Sequence, residues 1–147
     1  MKKVLATGTL VVLLAACSSA QKNEETSKDS KIPVTVRDAF KQHYPNIRDV
    51  DWEKEGKNYE ASFENNKTET SVVIDASGKI LETETEIEIN ALPKPVLDYL
   101  AANYKGQKVK EAAKIVLGDG TINYEAEVNK KDLLFDSNGS FINVIGK

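Results

Sequence analysis

The 147-residue sequence holds one cysteine, one histidine and one tryptophan. With Cys17 alone, no intramolecular disulfide can form. With His43 alone, a zinc site or a Ser-His triad has nothing else to build on. P-loop, GxSxG and GxGxxG motifs are absent. No excess of basic charge is present: the formal charge is −3, which argues against a general nucleic-acid binder. The apolar run Val4 to Ala16, broken by Thr7, Gly8 and Thr9, is too short for a comfortable membrane span. No catalytic residue, cofactor or metal site is assigned on these grounds.

What is present begins with an address. Met1-Lys2-Lys3 gives a positive start, the apolar run follows, and Leu14 to Cys17 reads LAAC. This resembles a bacterial lipoprotein signal, in which Cys17 becomes the lipidated first residue after cleavage. That resemblance implies a signal peptide over 1–16 and a lipid anchor at Cys17, strong enough to hold the chain on a membrane. Residues 17–31 are then the lipidated Cys and a flexible tether. The stretch lacks large apolar residues and is rich in Ser, Lys and Glu, so it cannot build a core.

From residue 32 the chain repeats itself. IPVTVRDAFKQHYPN (32–46) returns as LPKPVLDYLAANYKG (92–106). Val36, Ala39, Phe40 and Tyr44 share one helical face, and so do Val96, Tyr99, Leu100 and Tyr104. Thr35 and Asp38 suit a capping box, Pro95 suits a first helical turn, and Pro45 and Gly106 end the helices. Downstream, NYEASF (58–63) matches NYEAEV (123–128), and SVVIDASGKIL (71–81) matches DLLFDSNGSFI (132–142). A period of about sixty denotes a duplicated supersecondary unit: repeat 1 over 32–90, repeat 2 over 91–147.

Within each unit the residues alternate. In the first, Val50 and Trp52, then Tyr59, Ala61 and Phe63, then Val72 and Ile74, face a core. The fourth strand is expected over 79–89, with Leu81, Thr83, Thr85, Ile87 and Ile89 on one face. In the second unit the helix spans 94–104 and strands fall near 108–117, 121–128, 132–136 and 140–145. Ile122, Tyr124, Ala126 and Val128 form one core face; Val109, Ala113, Ile115 and Leu117 are the expected buried set of the preceding strand. Asp75-Ala76-Ser77-Gly78 and Asp136-Ser137-Asn138-Gly139 are matching turns. The expected class is α+β: a tandem repeat of helix plus four antiparallel strands, with both helices on one face of a continuous eight-stranded sheet.

Acidic residues crowd the opposite face. Asp49, Asp51, Glu53, Glu60, Glu64, Glu82, Glu84, Glu86 and Glu88 are all expected there. Residues 32–90 carry 7 Lys/Arg against 13 Asp/Glu, whereas 91–147 carry 8 against 7. Like charges opposite one another destabilise a sheet. Such a face is a solvated surface that blocks edge aggregation, a docking surface for a basic partner, or a collector of divalent cations.

The order helix–YPN–WE–YE–D-x-x-G–LP resembles the PepSY-like, beta-lactamase-inhibitor-like lipoproteins of Bacteroidota. The matching residues are Pro33, Phe40, Tyr44-Pro45, Trp52-Glu53, Tyr59-Glu60, Asp75 and Gly78, then Leu92-Pro93, Tyr104, Tyr124-Glu125, Asp136 and Gly139. The resemblance implies a tandem helix-plus-sheet fold, a broad sheet face, and a location in the cell envelope: outer membrane facing the periplasm, or cell surface. It carries no proven activity. The expectation is a monomeric, non-catalytic, lipid-anchored module. It binds an envelope protein, with inhibition of a hydrolase or peptidase as the analogy; a cation-binding or envelope-stress lipoprotein is the alternative.

Overall fold

The computed structural model describes residues 31–146. The signal, Cys17 and most of the tether lie outside these residues. The chain runs α1 (Val34–His43), β1 (Asp51–Glu55), β2 (Asn58–Asn65), β3 (Thr68–Ile74), β4 (Ile80–Glu86), then α2 (Lys94–Asn103), β5 (Val109–Leu117), β6 (Ile122–Val128), β7 (Lys131–Asp136) and β8 (Phe141–Gly146). A single 3-10 turn, Ile89–Ala91, joins the halves. The strands form one antiparallel sheet in sequence order, β1 to β8.

The helices form where the apolar spacing places them. Val36 and Phe40 are buried on α1, Val96 and Leu100 on α2. Ala39, Tyr44, Tyr99 and Tyr104 pack half-buried beside them. Neither helix has a side-chain cap: Pro33 and Pro93 occupy the N-cap positions, so the Thr35–Asp38 capping box does not form. Proline fixes the backbone for helix entry, and buried Ile32 and Leu92 just ahead of each proline anchor that entry.

Each helix packs on the sheet above its own unit. Phe40 centres the first core, with ring centroids of Trp52 at 5.4 Å and Phe63 at 5.1 Å, both edge-on. Phe135, fully buried, centres the second, with Tyr99 edge-on at 5.3 Å. Edge-on rings set the positive rim of one against the negative face of the other.

The turns are determined locally. Asp75 Oδ1 accepts hydrogen bonds from the backbone N–H of Ser77 (2.8 Å) and Lys79 (3.0 Å); Asp136 Oδ1 accepts from Asn138 (2.9 Å) and Ser140 (2.8 Å). Gly78 and Gly139 follow with φ of 89° and 81°. The helices sit directly on these turns. A Cβ at Gly139 would lie 2.8 Å from Pro95 Cβ, and one at Gly78 would lie 3.2 Å from Ala39 Cβ. Asn66-Lys67 and Asn129-Lys130, all with positive φ, close two further hairpins.

Three β-bulges decide which residues face which side. Between β3 and β4 the register shifts at Val73/Ile74, so Ile80 pairs with Ile74 and joins the core in place of Leu81. β4 ends at Glu86: Ile87 packs against the second core, Glu88 leaves the sheet, and Ile89 is exposed in the 3-10 turn. The shift at Val109/Glu111 inverts β5 relative to the expected pattern. Val109, Ala112, Lys114 and Val116 face the helices, whereas Ala113, Ile115 and Leu117 face away. The third shift, at Leu134/Phe135, repeats the first.

Gly56 and Gly139 separate backbone strain from packing, since both have positive φ but Gly56 has nothing within 4 Å of a built Cβ. Gly56→Ala should cost about 1 kcal/mol, the left-handed penalty alone. Gly139→Ala should cost clearly more, because α2 must move. Urea unfolding of both variants tests this; equal losses would show that the helix does not bear on the turn.

Candidate functional site

The helix-free face of the sheet is where the acidic side chains collect. Alternation along β2, β3 and β4 sends Glu60, Ser62 and Glu64, then Glu69, Ser71 and Val73, then Glu82, Glu84 and Glu86 to this side. β4 pairs with β5 through Glu82–Leu117, Glu84–Ile115 and Glu86–Ala113, and the second unit continues the same face. Glu111, Glu125, Glu127 and Asp132 therefore stand beside the acids of the first unit. The result is a groove of about 300 Å³ whose walls include Glu60, Glu64, Glu69, Glu84, Glu86, Glu111, Glu125, Glu127 and Asp132. No Lys, Arg or His is among the described residues that line it.

Ala113 lies between these walls and is 6% exposed; Ile115, 5% exposed, shares its face opposite Glu84, so both are buried although they point away from the helices. Along the middle of the face the acids have uncharged cross-strand neighbours: Glu82 opposes Val73 and Leu117, Glu84 opposes Ser71 and Ile115, and Glu125 opposes Ala113 and Leu134. Elsewhere acid meets acid directly, Glu53 with Glu60, Glu64 with Glu69, Glu111 with Glu127 and Glu127 with Asp132, an arrangement that costs stability. Lys110 bridges one of these pairs, Nζ lying 3.1 Å from Glu111 Oε1 and 3.3 Å from Glu127 Oε2.

Burial and crowding raise several carboxyls of this face. Burial, then the charges of Glu84 and Asp132, push the Glu125 carboxyl up to about 8. Burial is also the first cause for Glu84, raised further by Glu82, Glu60 and Asp132. Glu60 and Glu82 are raised by burial and by neighbouring acids, with Ser71 donating a hydrogen bond to Glu60 that partly offsets this. Asp132 is likewise raised by burial and by Glu127 and Glu111. Among the described residues, no group of three or more His, Cys, Asp or Glu side chains is placed to hold a metal ion.

Of the acids expected on this face, Glu60, Glu64, Glu84 and Glu86 line the groove. Glu82 lies on the same face, half-buried beyond its end. Asp51 and Glu53 share the face on the edge strand β1, opposite Ser62 and Glu60. Asp49 precedes β1 and Glu88 lies past the end of β4, so neither stands on the sheet. The second unit's Glu111, Glu125, Glu127 and Asp132 were missed, together with Glu69. Glu125 and Glu127 were legible as the alternates of Tyr124, Ala126 and Val128; Glu111 was hidden by the bulge. His43 ends α1 on the surface, far in character from a ligand.

A sequence profile described as beta-lactamase-inhibitor-like, PepSY-like matches residues 20–82 and 57–143. No curated protein matches the chain in sequence. Among solved structures, a BLIP-like protein from Bacteroides fragilis is 29% identical, with a TM-score of 0.60 over 77% of this chain and 85% of that one. A protein from Bacteroides eggerthii, provisionally named periplasmic, is 20% identical with a TM-score of 0.71 over 77% and 87%. A DUF2874 family protein from Bacteroides uniformis is 24% identical with a TM-score of 0.69 over 77% and 88%. The latter two establish likeness of fold. The two profile matches overlap over 57–82 and together span 20–143, and the chain belongs to the beta-lactamase-inhibitor-like, PepSY-like family.

Proposed function

We propose that this chain is a non-catalytic, lipid-anchored binding module of the cell envelope. It holds a cationic segment of an envelope protein in the acidic groove, and a hydrolase or peptidase restrained by it is the class of target. The observation that carries this reading is the groove itself: nine acidic side chains line it with Ala113 among them, no Lys, Arg or His is among the described lining residues, and Lys110 reaches only Glu111 and Glu127. A Lys or Arg side chain entering it meets several acidic groups at once, and long-range attraction steers such a partner in. The family description and the BLIP-like relative support binding over catalysis. Attachment is assigned to Cys17 on the LAAC sequence that follows the apolar run; among the described residues no helix is long and apolar enough to cross a membrane.

Glu84→Lys/Glu86→Lys should lose a partner that the native chain retains from envelope extract, with affinity falling at least about tenfold. Glu84→Gln/Glu86→Gln, which removes two carboxyl groups at nearly constant shape, should weaken capture while leaving the fold intact. Retention by both variants would remove the groove from consideration. Native capture should strengthen as pH rises towards 8, because Glu125, pushed up to about 8, becomes charged there. Should added calcium raise the melting temperature, the cation reading gains over the cationic partner, since a ligand of the native state stabilises it.

Stability has the opposite slope. Glu125 holds its proton in the folded chain up to about 8 and loses it near 4.5 when unfolded. Between those values the unfolded state releases a proton that the folded state keeps, so its stabilising contribution declines as pH rises. Glu125→Gln should flatten the decline and raise the melting temperature at pH 8; an unchanged profile would count against the buried carboxyl. Finally, Cys17→Ser should move the chain from the membrane to the soluble fraction, and persistence in the membrane would exclude the lipid anchor.

A further inference from the structure

The internal repeat supplies a control for every strand, and β8 departs from its counterpart β4. Both enter from an Asp-x-x-Gly turn and both pass a bulge, with Ile74–Ile80 in one matching Phe135–Phe141 in the other. Leu81, Glu82, Thr83 and Glu84 therefore correspond to Ile142, Asn143, Val144 and Ile145. The composition is the reverse of what exposure calls for. β4, paired on both sides, is polar; β8, which among the described residues ends the sheet and pairs with β7 alone, is apolar. Of the five exposed large hydrophobic side chains among the described residues, three lie on β8: Phe141 at 38%, Ile142 at 49% and Ile145 at 46%.

The other edge is guarded. β1 is five residues long and displays Asp51, Glu53, Lys54 and Glu55, its one apolar side chain, Trp52, being buried. Charge on a short edge strand is a standard block to strand addition. β8 has no charged residue between Phe141 and Gly146.

We propose that β8 pairs antiparallel with β8 of a second copy, joining two sheets across a two-fold axis. The kind of occupant follows from the repeat. The matching edge of β4 is covered by an antiparallel strand, β5, with Gly118 N–H donating to the Leu81 carbonyl at 2.7 Å. The identity follows from charge and closure. A β8 strand brings no charge against Ile142 and Ile145, whereas β1 would set a row of charges there. A β8–β1 contact is also head-to-tail and grows without limit, while β8–β8 closes at two. In the single chain the Val144 N–H donates to its neighbour Asn143 Oδ1 at 2.7 Å. Asp136 N–H donates across the hairpin to Ser140, so antiparallel alternation places the Val144 amide on the outer edge, where a partner carbonyl replaces Asn143. The dimer differs from the monomer expected of the sequence and leaves the acidic groove of each copy open, so it stands independently of the proposed function.

Sedimentation velocity of the intact chain in mild detergent, across a concentration series, tests this. The expected result is a species of twice the chain mass. Ile142→Lys/Ile145→Lys should sediment as a single chain; both side chains are exposed, so circular dichroism and melting temperature should be unchanged. A native chain that stays single at every concentration would overturn the proposal. So would a dimer indifferent to the double substitution, or a ladder of larger species, which is the signature of β8–β1 pairing.

Discussion

Five residue pairs between β4 and β5, from Glu82–Leu117 to Glu86–Ala113, hold the two repeats in one sheet. The helix-side cores do not join them. Each helix has its own buried cluster, and between the clusters Thr83 pairs with Val116 and Thr85 with Lys114, a seam with a single apolar side chain. A unit of this size alone buries too little surface to be robust. The shared ladder removes two open edges and stiffens the whole, and it also brings acids from both halves to one side. Fold and groove therefore depend on the same contact.

Such a concentration of carboxylates would ordinarily oppose folding. The sheet tolerates it in three ways that can be read from the register. Val73, Ile115, Ala113, Leu117 and Leu134 stand opposite the central acids Glu82, Glu84, Glu86 and Glu125. Lys110 ties Glu111 to Glu127. Glu125 keeps its proton to about 8. What results is a surface whose remaining repulsion is relieved by a positive group, which is the physical basis for reading it as a receptor for one. The small and apolar residues opposite the central acids are part of the same solution, since they keep those acids from facing one another directly.

The duplication keeps what the helix needs and varies what the edges need. Helix entry through Ile32-Pro33 or Leu92-Pro93, the Asp-anchored turn and the glycine beneath the helix recur in both units. The outer strands do not recur: β1 is charged, β4 is polar and covered, and β8 is apolar and uncovered.

Much of this was legible in the sequence because it is local. The 60-residue period, the helix faces, the D-x-x-G turns and the alternation of Tyr59, Ala61 and Phe63 all follow from neighbours a few residues apart. They determine an α+β tandem repeat with one helix-bearing face. The register was not local. A bulge at Val109/Glu111 sends Ala113 and Ile115 to the far face, and the end of β4 at Glu86 takes Glu88 off the sheet. Counted by unit, the second half has a slight basic excess; counted by face, its Glu111, Glu125, Glu127 and Asp132 complete an acidic groove. The sequence alone determined which residues alternate. Only the tertiary structure decided which of them meet, because one extra residue in a strand inverts every side chain beyond it, and strand pairing selects neighbours that lie far apart along the chain.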